Sequence, residues 1–208
     1  MLRTLTLSAL LVANVAGDAG AQRPKPVPQP PLAQFISQRI IVLPVQLLRA
    51  DTGAFVNATT WEAFRRELDD SIGSAIATRG LGRQWSYAAD VARSARRNAA
   101  YTSDPYSLGV QQIRGLALKS GDKLPPLFAS NLRALIALGD TRYALLPIEV
   151  VFQRSEGLQR AALRLALVDG RGGLFVWLGE VASDPAPALT PAIIASLAAR
   201  VADLVVAP

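Results

Sequence analysis

The chain has 208 residues, half of them hydrophobic and 18% charged, with a net charge of +6. That is about one domain's worth of sequence, apolar enough to bury a core and too poor in charge to stay disordered. It has no cysteine and no histidine, which removes disulfides, thiolate nucleophiles, thiolate or imidazole metal sites and the usual proton shuttle near neutral pH.

The first element in chain order is a sorting signal. Arg3 precedes an apolar run from Leu5 to Ala16, and Ala19-Gly20-Ala21 forms a small-residue cleavage site. The run is shorter than the roughly 20 residues a bilayer span needs. Residues 1–21 are therefore read as a signal peptide. With no cysteine to carry a lipid, the processed chain is expected in the periplasm or outside the cell, without a transmembrane segment. Prolines at 24, 26, 28, 30 and 31 favour extended polyproline backbone. Residues 22–37 accordingly read as a linker and 38–208 as the folded domain.

Arg39 to Leu48 is a β-branched and aliphatic run of the kind that forms a buried strand. A helix is expected over 59–79. Thr59 and Glu62 have capping-box spacing, Trp61, Phe64, Leu68, Ile72 and Ile76 form one stripe, and Gly80 suits the C-cap. Asp69 and Asp70 are expected on a solvated face. A second helix over 88–97 would bury Ala88, Val91, Ala92 and Ala95 and align Arg93, Arg96 and Arg97 outside. Residues 125–139 read as a third helix, with Leu127, Leu132, Leu135 and Leu138 inward.

The strand expected over 142–152 repeats the pattern of the first, with Leu-Pro at the same place. Pro44 and Pro147 therefore suggest equivalent breaks at one end of the sheet. Strands over 158–168 and 174–182 flank Asp169-Gly170-Arg171-Gly172-Gly173. A phosphate loop would open a helix, whereas these glycines lead into Phe175-Val176-Trp177, so the stretch reads as a hairpin turn without a ligand. Thr190-Pro191 opens a last helix, apolar at Ile193, Ile194, Leu197, Val201, Leu204 and Val205.

The succession "IIVLP", helix, short strand, "LRALIALGDTRYALLP" and "LALVDGRGGLFVW" resembles a domain of bacterial envelope proteins. These are the amino-terminal domain of the Tol-system propeller protein, the lipoprotein activators of penicillin-binding proteins and the curli secretion lipoprotein. The resemblance spans roughly 38–206 and implies a binding or assembly role with no catalytic residues. The expected fold class is α+β, a single domain with a mixed sheet of about four to five strands flanked by helices. The chain departs from the group by lacking the lipid-anchor cysteine and by its long segment 79–133.

That segment, expected to be basic and helical, holds nine basic residues against three acidic ones and so accounts for the whole positive excess. Trp85, Tyr87, Tyr101 and Tyr106 lie in it. Arginine beside aromatic rings binds anions and planar or sugar rings. The candidate binding residues are therefore Arg93, Arg96, Arg97, Trp85 and Tyr87. The expected partner is an envelope protein or an anionic envelope polymer or surface, with no nucleic acid, cofactor or metal. Ser120-Gly121-Asp122-Lys123 fits the Ser-x-x-Lys of penicillin-recognising enzymes, but the companion Lys-Thr-Gly is missing. A metal-free hydrolase acting outside the cytoplasm through Asp140, Glu149, Asp169 or Glu180 is the alternative.

Overall fold

The computed structural model describes residues 29–50 and 58–207. The signal-peptide reading, most of the proline-rich stretch and the Thr59 side chain of the expected capping box lie outside the described residues. The elements are β1 (Ile40–Val42), β2 (Leu47–Ala50), α1 (Ala58–Ile76), β3 (Trp85–Ser86), α2 (Ala88–Arg97), α3 (Pro126–Leu138), β4 (Tyr143–Ser155), β5 (Leu158–Asp169), β6 (Leu174–Ala182) and α4 (Pro191–Asp203). They form an α+β domain with one mixed sheet of six strands, ordered β3-β1-β4-β5-β6, with β2 also on β4. β4, β5 and β6 are joined by short turns and pair antiparallel. β1, β2 and β3 pair parallel to their neighbours, as chains returning through helical crossovers must.

The run 39–48 is not one strand. Pro44 has no amide hydrogen to give the ladder, so β1 stops at Val42 and β2 starts at Leu47. The amides of Leu43 and Gln46 still reach Leu145 O and Pro147 O at 2.9 and 3.1 Å. Beside this gap, the register of β4 on β5 slips between Pro147 and Glu149. The two prolines thus mark one step in mid-sheet rather than at its end, because β4 runs on to Ser155.

Alternation along the strands divides the core into two layers. Ile40, Val42, Leu145, Leu163 and Leu165 pack with Leu68 and Ile72 of α1 and Leu197 and Val201 of α4. Ile41, Ala144, Leu146, Ala166 and Val168 pack with Val91 of α2 and Phe128, Leu132 and Leu135 of α3. Leu127 is 56% exposed; the inward face of α3 is turned to Phe128, Ala129 and Ile136. Leu32 and Phe35, inside the stretch read as linker, are buried in the first layer. The Leu32 amide donates to Leu204 O at 2.8 Å. Of the basic segment, α2, the start of α3 and a short 3₁₀ turn at Val110–Ile113 are helical, while much of 98–125 is irregular.

β5 and β6 form the expected hairpin. Asp169 Oδ1 accepts from the amides of Arg171 and Gly172 at 3.0 and 2.9 Å, and Gly173 takes the positive φ of 66°. Gly170 is needed for space, not for dihedral freedom: a Cβ there would lie 2.1 Å from Ile136 Cδ1. Gly170→Val is expected to cost roughly 1–3 kcal/mol by overpacking. An unchanged denaturant midpoint would mean that Ile136 simply yields.

Candidate functional site

The break at Pro44 builds the site. With β1 ended, the Val45 amide has lost its strand partner, and it donates instead to Asp69 Oδ1 of α1 at 2.8 Å. Gln46, also buried, donates through Nε2 to Pro44 O and Pro105 O at 2.8 and 2.7 Å. It also accepts from the Leu108 amide at 3.3 Å. The bonds to Pro105 and Leu108 pin that stretch to Gln46, and Tyr106 comes to lie with the Arg65 guanidinium of α1 4.8 Å from its ring centroid.

Asp69 is therefore not on a solvated face. It is 5% exposed, and its Oδ2 is buried without a hydrogen-bond partner. Burial is the dominant influence and pushes the carboxyl up to about 7; the Val45 amide, the Arg65 charge and the Tyr106 hydroxyl offset it only in part. Asp70, one residue on, is exposed as expected.

The sequence-selected residues divide. Arg93, Arg96 and Arg97 are exposed on α2, while Ala88, Val91, Ala92 and Ala95 are buried beneath them. Arg93 is paired with Asp90 at 2.6 Å. Trp85 does not join them. Its strand pairs with β1, opposite Ile40, which turns the indole into the core at 3% exposure. Tyr87 is half-buried and set against Gly73 of α1, where a Cβ would meet its ring at 3.3 Å. It works as a spacer between the helices.

Tyr106, Arg65 and Arg66 take the place of those two aromatics. Two adjoining clefts lie between α1 and α2. One of about 400 Å³ is lined by Arg65, Arg66, Arg96 and Tyr106; the other, of about 240 Å³, by Arg66, Arg93, Arg96 and Tyr106. Glu62, Asp70 and Asp104 stand at their edges, and Glu62 holds Arg66 at 2.8 Å. Arg97 is exposed on the same helix but outside both clefts. The arrangement offers planar guanidinium groups and a phenol to a ligand, which suits binding of carboxylates, phosphates or sugar rings.

The carboxylates of the hydrolase alternative lie against arginines. Asp140 meets Arg39 at 2.8 Å, Glu149 meets Arg114 at 3.1 Å and Asp169 meets Arg142 at 2.6 Å, while Glu180 sits across the strand pair from Arg164. Ser120 donates its hydroxyl to Val176 O at 2.7 Å and Lys123 bridges to Leu174. The Ser-x-x-Lys stretch thus closes the start of β6. Among the described residues, no group of acidic side chains is placed to hold a metal ion, and no helix is long and apolar enough to cross a membrane.

No family model matches the chain, and no curated protein matches it. Solved structures that resemble it include the LpoB C-terminal domain from Salmonella enterica, at 16% identity, covering 70% of this chain and 81% of that one, with a TM-score of 0.38. The PelC dodecamer from Paraburkholderia phytofirmans is 12% identical over 86% of this chain and 95% of that one, with a TM-score of 0.40. Lipoprotein GNA1162 from Neisseria meningitidis is 16% identical over 74% of this chain and 88% of that one, with a TM-score of 0.39.

Proposed function

We propose that the protein is an exported, non-catalytic binding module that holds an anionic partner in the cell envelope, a polymer or an acidic protein surface, on its α1–α2 face. One observation carries this reading: Arg65 and Arg66 of α1 and Arg93 and Arg96 of α2 converge on one pair of clefts around Tyr106. The pattern of residues 1–21 supports export. The local pairs Glu62–Arg66 and Asp90–Arg93 are exposed and so contribute little to holding the arginines away from a ligand. A ligand bearing several negative charges replaces them at small cost.

The test is the variant Arg93→Glu/Arg96→Glu/Arg97→Glu, with retention on isolated envelopes measured across a salt series. Each basic side chain near an anionic surface contributes on the order of 1 kcal/mol. Retention is expected to fall roughly tenfold or more at low salt, with the gap closing as salt rises. A folded variant that binds as the parent does at low salt would reduce the face to solvated surface.

A further inference from the structure

The sheet face that packs on α2 and α3 has a second half with no helix on it among the described residues. Past the step at Pro44 and Pro147, the register places Leu47, Glu149, Arg164 and Glu180 in one row across β2, β4, β5 and β6. Arg49, Val151, Ala162 and Ala182 form the next row, and Gln153 and Arg160 follow on β4 and β5. The reverse side of the same strands carries Val150, Phe152, Ala161 and Leu163, all in the core layer of α1 and α4. By contrast, Val151 and Ala182 are half-buried and belong to neither core layer, Ala162 lies between them at 7% exposure, and Arg49, Gln153, Arg160 and Glu180 are exposed. The covering layer ends at the 3₁₀ turn, where Ile113 O accepts from Arg164 Nη2 at 3.2 Å and Arg114 stands 3.1 Å from Glu149.

We infer that this half of the sheet is a docking surface for a single amphipathic helix of a partner protein, with an apolar stripe over Val151, Ala162 and Ala182 and carboxylates at its flanks. Charge complementarity selects an acidic partner. Arg49, Arg114, Arg160 and Arg164 border the face, against Glu149 and Glu180, with Arg160 Nε donating to Ser183 O at 3.0 Å. Glu149 is itself only 8% exposed and lies between Arg49 and Arg114, and Arg164 Nε is buried without a partner. Size selects a helix. Four strands about 4.8 Å apart give a platform about 15 Å wide. That width holds one helix of about 10–12 Å diameter. Shape agrees with this, because the central side chains are short and a second layer on a sheet needs close approach. The partner helix would continue the layer that α2 and α3 begin. The site is separate from the α1–α2 face.

The probe is a pair of synthetic helical peptides with the same leucine and alanine stripe, one flanked by glutamates and one by lysines, titrated into isotope-labelled protein and followed by amide chemical shifts. The acidic peptide is expected to bind about tenfold more tightly, the sum of several exposed charge pairs, with shifts confined to 47–50, 149–153, 160–164 and 180–182. Arg49→Glu/Arg160→Glu should abolish that preference, and Arg96→Glu/Arg97→Glu should leave it intact. If the first pair disturbs the fold, Gln153→Glu alone should weaken the acidic peptide. Equal affinity for the two peptides, shifts centred on α2, or the same shifts from dextran sulfate would each overturn the inference.

Discussion

Asp69→Asn is expected to stabilise the protein above pH 7 by about 2–4 kcal/mol and to flatten its pH dependence below that. The parent's folded state holds the Asp69 proton up to about pH 7, whereas a solvated aspartate of the unfolded chain releases it near 3.8. Between those two values the folded state binds a proton that the unfolded chain has released, so stability falls as pH rises through the window and levels off above it. Asparagine removes the buried charge yet keeps an amide oxygen where Oδ1 accepts from Val45. The strand break therefore stays anchored. Denaturant unfolding of both proteins at pH 5 and pH 8 reads the difference. A variant weaker than the parent at pH 8 would show that Arg65, Tyr106 and Val45 sustain the ionised carboxylate.

Asp169→Ala should act in the opposite sense, costing about 3 kcal/mol at neutral pH. The carboxylate is 5% exposed. Its Oδ1 holds two turn amides and its Oδ2 holds Arg142 Nε and Nη2 at 3.0 and 2.6 Å. Bonds of this kind to an ionised group contribute about 1.5–3 kcal/mol each, and they share one carboxylate, so they do not add. Burial alone would raise its pKa, but Arg142 and the amides of Gly172 and Arg171 outweigh it and hold the carboxyl below the usual range. Its contribution is present above the unfolded pKa and disappears as pH falls through the lower, folded one. The gap between parent and variant should therefore narrow in acid. A loss under about 0.5 kcal/mol at pH 7, the size of an ordinary surface change, would contradict this account of the turn.

The elements set by periodicity were legible: α2, α4 and the β5–β6 hairpin stand where apolar spacing and glycine put them. The apolar run 39–48 could not show its division, because its residue types suit both pieces of strand and only pairing with β4 reveals the gap at Pro44. Asp69 was partly legible. At 100° per residue it falls only about 20° from Ile76 on the helix, at the border of the apolar stripe rather than opposite it. What it accepts, the amide freed at Val45, depends on tertiary placement. The burial of Trp85 is not legible in the sequence, because a two-residue strand carries no periodicity to say which way the indole turns. Tyr106 owes its position to the bond from Gln46 to neighbouring Pro105, a contact across 59 residues that local spacing cannot show.

The central claim is that the α1–α2 face touches an anionic partner in the envelope. Its most direct measurement is site-specific photo-crosslinking in isolated envelopes, with the photoreactive residue placed at Ala89 on α2, at Arg66 on α1, and at exposed Asp184, which is bonded to Ser196 and Arg200 of α4 and lines neither cleft. The account predicts a salt-sensitive crosslinked product from positions 66 and 89 and none from 184. The same product from all three positions, or from 184 alone, would contradict it.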